Sequence, residues 1–347
     1  MSAFDAHVRD VVAWHLSEET GTPLWREVAK EAGVRAEDIQ TFHDLALLPR
    51  FKDEWLRELP HEMLTPRAFA DRPYKVFETG GTTGQPKQRL SWSDHERDYE
   101  VFSASLDERA FPKGGAWLML GPTGPRRLRL TIEHLANHRG GPCFHVDCDP
   151  RWAKRLASEG RHQEAQAYRA HVVDQARKVL ESRPIDCLFT TPTLLEALGE
   201  AVDLSATSIR GVFCGGTSMS AQTLRFLVEE VLGPDIALLP TYGNTLMGLA
   251  IGLPVSQKTA FRPLYYPPLP RAFLRVVNPT QPDELVDYDA WGQVELTTLT
   301  REFFLPRHLE RDEAIRIRPC EAYPFDGVAD VRPLGTGEGK VSVEGVY

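Results

Sequence analysis

The chain has 347 residues, enough for one large or two ordinary domains, and its 42% hydrophobic and 26% charged residues are the balance of a globular protein with a buried core. Its formal net charge of -9 argues against nucleic acid or an anionic membrane as partner, because both are met by clustered lysine and arginine. The opening MSAFDAHVRDVV sets Asp5, Arg9 and Asp10 where a secretory signal needs an apolar core, and no apolar run approaches a membrane span, so the cytoplasm is the expected location.

Phe4, Val8, Val11, Val12 and Leu16 recur at helical spacing, which predicts a helix over 4–16. Prolines at 49, 60, 66 and 73 then punctuate the approach to an extended run, Tyr74 to Phe77, and to the stretch TGGTTGQPK, Thr79 to Lys87. Glycine lets backbone amides approach a ligand closely, and the threonines and Lys87 add hydroxyls and one cation, so the composition reads as a phosphate cradle. It is not the common nucleotide loop G-x-x-x-x-G-K-[ST], since Gln85-Pro86-Lys87 follows Gly84 and no serine or threonine follows the lysine.

Further on, apolar strands predicted at 116–120, 187–189, 212–214 and 236–239 alternate with helices at 163–182, 193–201 and 221–231. Strands separated by helices of ten or more residues imply parallel or mixed sheets covered by helices, so the class is α/β. The basic run Arg126-Arg127-Leu128-Arg129 is expected on a solvated face or against a local anion. From about Tyr265, prolines and alternating strands at 294–297 and 315–318 suggest a β-rich subdomain. The expected organisation is a helical part over 1–73, an α/β core over 74–264, the β-rich subdomain over 265–333 and a hinge remnant over 334–347.

Cys143, Cys148, Cys187, Cys214 and Cys320 are an odd, scattered set, which fits reduced thiols. Cys143-Phe144-His145-Val146-Asp147-Cys148 places two thiols and an imidazole within six residues. A zinc site needs a further ligand, and incidental cysteines on a partly buried strand are the expected reading.

Three segments in order then carry a family resemblance. TGGTTGQPK looks like the phosphate loop of the adenylate-forming enzymes, the superfamily of acyl- and aryl-CoA ligases, nonribosomal-peptide adenylation domains and luciferases. Thr241-Tyr242-Gly243-Asn244-Thr245 resembles their Y-G-x-T motif, and Gly292 to Glu302, GQVELTTLTRE, is similar to the run typical of the phenylacetate-CoA ligase branch. The resemblance covers roughly residues 74 to 345. It implies the large N-terminal domain of that superfamily, with helix-covered mixed sheets and a small β-rich subdomain.

The activity implied is activation of a carboxylic acid, aryl in many members of this branch, by ATP with Mg²⁺. Acyl-AMP forms, pyrophosphate leaves, and the acyl group passes to a thiol, amine or hydroxyl, in a setting of secondary metabolism. By resemblance, Thr79, Gly80, Gly81, Thr82, Thr83, Gly84 and Lys87 wrap the β- and γ-phosphates, and Gly215, Gly216 and Thr217 lie along adenine. Tyr242 stacks on the base, Gly243 and Asn244 belong to the same nucleotide site, Thr245 bonds the α-phosphate, and Asp312 grips the ribose hydroxyls. Lys87 and Thr245 are the catalytic candidates. His134 and His138, in Leu130 to Gly141, are candidates for the acyl pocket. The partners implied are the acid, an acceptor nucleophile, and a partner enzyme or carrier protein.

Two departures open alternatives. The family's Y-G-x-T is followed by a glutamate that binds Mg²⁺, whereas Leu246 stands here, and leucine offers a hard cation no oxygen. Gly337 to Gly345 resembles the hinge into a mobile C-terminal lid, which the sequence leads us to expect is absent. Three readings follow: a minimal adenylating ligase, a binding or scaffold homologue without the chemistry, and an acyltransferase resembling the acyl-protein synthetases of bacterial bioluminescence, for which Cys214 is the candidate nucleophile.

Overall fold

The computed structural model describes residues 2–79, 85–124 and 127–335. Ser2 starts α1 (Ala3–Leu16) with a capping box, its Oγ accepting the Asp5 amide at 3.0 Å while Asp5 reaches back to the Ser2 amide. Pro23 opens α2 (Pro23–Ala32), and Gly33, at φ +68°, closes it in the left-handed conformation that glycine adopts freely. Two single turns, α3 (Trp55–Glu58) and α4 (His61–Leu64), lead to the antiparallel pair β1 (Lys75–Glu78) and β2 (Gln88–Ser91) that flanks the glycine-rich stretch.

The α/β core follows as α5 (Asp94–Ser103), β3 (Trp117–Leu120), α6 (Leu128–His138), β4 (Cys143–His145), α7 (Pro150–Ser158), α8 (His162–Ser182), β5 (Cys187–Thr190), α9 (Pro192–Ala201), β6 (Gly211–Cys214), α10 (Ala221–Phe226) and β7 (Ala237–Pro240). The five strands form one parallel sheet in the order β4-β3-β5-β6-β7. Successive side chains of a strand point to opposite faces, and both faces are covered. Leu118, Leu188, Val212 and Leu238 pack under α8, α9 and α10, while Trp117, Met119, Phe189 and Phe213 pack against Phe102 of α5 and Leu135 of α6. The helix expected over 221–231 is α10 followed by one wider π-helical turn, Leu227–Leu232.

The remaining strands are β8 (Gly243–Asn244), β9 (Gly248–Leu249), β10 (Ile251–Gly252), β11 (Leu264–Tyr266), β12 (Ala272–Val277), β13 (Trp291–Leu299), β14 (Phe304–Ile317) and β15 (Gly327–Pro333). Six of them form an antiparallel sheet in the order β10-β11-β15-β14-β13-β12, so strand pairing reaches back before residue 265. The N-terminal helices pack on this second sheet: Val8, Val11 and Trp25 share a core with Leu274, Val294, Leu296 and Phe304.

All five cysteines are free thiols. Among the described residues, Cys143, His145 and Cys148 do not assemble into a three-ligand cluster. Arg127 departs from the expected solvated face: it is 6% exposed, and its Nη2 donates to Asp98 Oδ2 at 2.7 Å. A neighbouring anion decides its position, as the second half of that expectation allowed. No helix among the described residues is long and apolar enough to cross a membrane.

Candidate functional site

A cleft of about 180 Å³ opens at the carboxyl ends of β6 and β7, the edge of a parallel sheet where α/β folds bind ligands. Its walls are Gly216 and Thr217 after β6, Thr241, Tyr242 and Gly243 after β7, and Asp312 and Arg332 from β14 and β15. That volume is below the roughly 300–1,000 Å³ of pockets that enclose a whole small molecule, so the cleft suits one part of a larger ligand.

Backbone pairing carries the sheet one step past the strand ends. Gly215 N donates to Thr190 O at 3.1 Å, and Thr241 N donates to Cys214 O at 2.7 Å. A Cβ on Gly215 would stand 2.0 Å from Thr241 Oγ1, so any larger residue there must displace the Thr241 hydroxyl. Gly216 sits at φ +91°, which again selects glycine.

Asn244 organises the next turn, its Oδ1 accepting the amides of Leu246 at 2.9 Å and Met247 at 2.8 Å while its Nδ2 donates to Glu310 Oε1 at 2.9 Å. The carbonyls of Thr245 and Leu246 accept from Arg89 Nη1 at 3.0 and 2.7 Å, and Thr298 Oγ1 donates to the Leu246 carbonyl at 3.0 Å. Arg89 lies on β2, just after the glycine-rich stretch, and Thr298 belongs to the TTLTRE run, so the three motifs meet around one turn.

Tyr242 donates its hydroxyl to Asp312 Oδ2 at 2.9 Å, and its ring lies 5.7 Å from that of Tyr265. Burial, then the charges of Asp312 and Glu310, push the Tyr242 phenol well above its usual range. Tyr242 therefore stays neutral and remains a donor.

Leu246 is 2% exposed, packs in the core with Met247 and Ala250, and does not line the cleft. Its carbonyl is already taken by Arg89 and Thr298. The turn thus supplies no oxygen ligand where the family places its Mg²⁺ carboxylate, and these residues do not fit a protein-held ion at that position.

Gly80, Gly81, Thr82, Thr83 and Gly84 lie outside the described residues, but both ends of the stretch are fixed. Thr79 N donates to Lys87 O at 3.0 Å, and Lys87 N donates to Thr79 Oγ1 at 3.0 Å. Lys87 Nζ bonds Asp53 Oδ1 at 3.0 Å, and Arg57 Nε holds the Gln85 carbonyl at 3.1 Å. Asp53 also meets Arg57 at 3.1 Å, Arg311 at 3.3 Å and His308 Nε2 at 3.4 Å. Burial raises the Asp53 pKa, but the bond and charge of Lys87, with His308 and Arg57, outweigh it and hold the carboxyl below its usual value. Asp53, Arg57, His308 and Arg311 were not singled out from the sequence.

His134 and His138 do not line the cleft. They lie on α6, where His134 Nε2 is 3.2 Å from Glu100 Oε1 of α5. Cys214 is fully buried, and burial pushes its thiol far up, the opposite of what a thiolate nucleophile needs.

No family model and no curated protein sequence matches the chain. Solved structures do. A 2-hydroxyisobutyryl-CoA ligase crystallised with 2-HIB-AMP and CoA in the thioesterification state superposes with a TM-score of 0.67 at 15% identity, over 94% of this chain and 66% of that one. The same ligase in the postadenylation state gives 0.66 at 14% identity over the same shares. O-succinylbenzoate coenzyme A synthetase from Bacillus subtilis, in complex with AMP, gives 0.50 at 14% identity over 74% of this chain and 48% of that one. The chain has the fold of the adenylate-forming enzymes and spans about two thirds of the length of the first of these ligases. The likeness does not single out the phenylacetate-CoA ligase branch.

Proposed function

We propose that this chain activates a carboxylic acid with ATP, forming acyl-AMP and pyrophosphate, and passes the acyl group to an acceptor nucleophile as an ester, amide or thioester. The observation that carries this reading is the convergence of separately recognised segments on one cleft: Gly216 and Thr217, Tyr242, and Asp312, with Tyr242 bonded to Asp312 at 2.9 Å. In this reading Tyr242 and the Gly215-Gly216-Thr217 segment hold the base, and Asp312 accepts from the ribose hydroxyls. Thr245 is assigned to the α-phosphate, and Lys87, at the end of the glycine-rich stretch, to the leaving phosphates.

A carboxylate oxygen of the acid attacks the α-phosphorus as the bond to the bridging oxygen breaks, and the electron pair leaves with pyrophosphate. The chain's part is to position the reactants and neutralise charge on the departing group, work that needs no covalent intermediate with the protein. A protein-held Mg²⁺ at Leu246 has no part in these roles. We read the acid as aryl, the acceptor as a small molecule or a carrier-bound group, and the setting as cytoplasmic secondary metabolism.

One observation favours a second reading. The buried, apolar Leu246 suits a nucleotide-binding homologue that has lost the chemistry. Pyrophosphate exchange into ATP, screened over aryl and aliphatic acids, separates the two. Acid-dependent exchange that Asp312→Asn reduces supports the ligase. Nucleotide binding with no exchange for any acid supports the second reading.

A further inference from the structure

Away from the cleft, α5 and α6 lie side by side and bring three metal-ligating side chains together: Glu100 on α5, and His134 and His138 four residues apart on α6. That spacing puts both imidazoles on one helix face. Their rings stack with centroids 6.0 Å apart and planes 26° apart, and one ligand atom from each of the three residues lies within 4.8 Å of the others. His134 Nε2 and Glu100 Oε1 are 3.2 Å apart, while the other Glu100 oxygen accepts Arg97 Nη1 at 2.9 Å. Tetrahedral bonds of about 2.0–2.2 Å place ligand atoms about 3.3–3.5 Å from one another. The His134–Glu100 edge is already near that length, and rotation of the exposed His138 closes the third corner.

Two imidazole nitrogens and a carboxylate oxygen suit zinc and its neighbours in the first transition row, whereas Mg²⁺ and Ca²⁺ prefer all-oxygen shells. We propose that Glu100, His134 and His138 bind one zinc-class divalent ion, with the fourth coordination position open to solvent. The site joins α5 to α6 on the outside of a helix pair whose inside is already tied by Arg127 to Asp98 at 2.7 Å. An ion bound only in the folded state therefore stabilises the pair by mass action. The plain alternative is a His134–Glu100 pair beside a stacked imidazole, which predicts no stoichiometric metal. The proposal does not depend on the adenylation reading.

The test is titration of the tag-free, full chain with Zn²⁺ by calorimetry and with Co²⁺ by visible absorption. One equivalent should bind with the ligand-field bands of four-coordinate Co²⁺, and saturating Zn²⁺ should raise the melting temperature. His138→Ala, at an exposed position, and Glu100→Gln should each weaken binding by more than about tenfold and abolish the melting shift. Cys143→Ser and Cys148→Ser should leave it unchanged. Absence of stoichiometric binding, full retention in His138→Ala and Glu100→Gln, or loss in the cysteine variants instead, overturns the proposal.

Discussion

Lys87 Nζ lies 3.0 Å from Asp53 Oδ1, so the single lysine of the glycine-rich stretch is anchored by a carboxylate 34 positions earlier in the chain. The same carboxylate meets Arg57 and Arg311 and lies 3.4 Å from His308 Nε2, which makes it the common partner of four side chains around the base of the stretch. Asp53→Asn leaves those groups facing one another.

We expect Asp53→Asn to lose about 1–3 kcal/mol of stability at neutral pH, since two of the partners it abandons, Lys87 and His308, are buried. Because its folded pKa is held below the ordinary 3.8, the contribution of Asp53 is fully present above that value and lost as pH falls through the lower, folded one. Urea midpoints of the two proteins should therefore differ at pH 7 and converge below about pH 4. A constant gap down to pH 3 would remove Asp53 ionisation from the account.

His15 gives a second pH dependence, of a different origin. It is fully buried; its Nε2 donates to the Thr300 carbonyl at 2.7 Å, and its Nδ1 lies 2.7 Å from Thr22 Oγ1. Burial, only partly offset by the Thr300 bond and the charge of Asp94, lowers its pKa to about 4. Unfolded, it titrates near 6.5, so below that value the unfolded chain binds a proton the native one refuses. Stability should fall by up to about 1.4 kcal/mol per pH unit between pH 6.5 and pH 4 from this residue alone. His15→Gln, which keeps one donor, should flatten that slope in urea titrations at pH 7, 6 and 5. An unchanged slope counts against the assignment.

If the cleft holds a nucleoside as proposed, Tyr242→Phe removes the hydroxyl that orients Asp312. The KM for ATP should rise about tenfold, the equivalent of one lost hydrogen bond to a charged group, with a smaller effect on kcat. Steady-state pyrophosphate release over a range of ATP concentrations decides this, and an unaltered KM speaks against ribose recognition by Asp312.

Leu246→Glu tests the turn. A carboxylate at this position enters the core beside Met247 and Ala250, at a cost of roughly 3–5 kcal/mol, and should destabilise the fold without restoring a metal ligand. A folded variant of wild-type stability with higher Mg²⁺-dependent activity would show that the side chain can turn toward the cleft.

The α/β core was legible because parallel strands buried on both faces read as unbroken apolar runs: Trp117 to Leu120, Cys187 to Thr190 and Gly211 to Cys214 are buried throughout. The sequence motifs named Gly216, Tyr242, Gly243 and Asp312, and the fold brings these four to one cleft. The Asp53 cluster was not, because its partners come from far along the chain: Arg311 lies 258 positions from Asp53, and no local pattern pairs them. The packing of α1 and α2 against the antiparallel sheet was hidden for the same reason. An amphipathic face announces that it will be buried without naming what buries it. The π-helical turn after α10 leaves no mark in apolar spacing.

Gly215 and Thr241 stand closer than a methyl group permits, and this limits how the cleft can be altered. The loop after β6 therefore cannot move closer to the loop after β7 without displacing the Thr241 side chain. A change in ligand preference, by natural drift or in the laboratory, is made most directly at side chains that line the cleft and carry none of the proposed roles, among them Met219, Val331 and Arg332. A library restricted to those three positions should yield altered selectivity in stable proteins, whereas one that varies Gly215 should yield mostly destabilised variants.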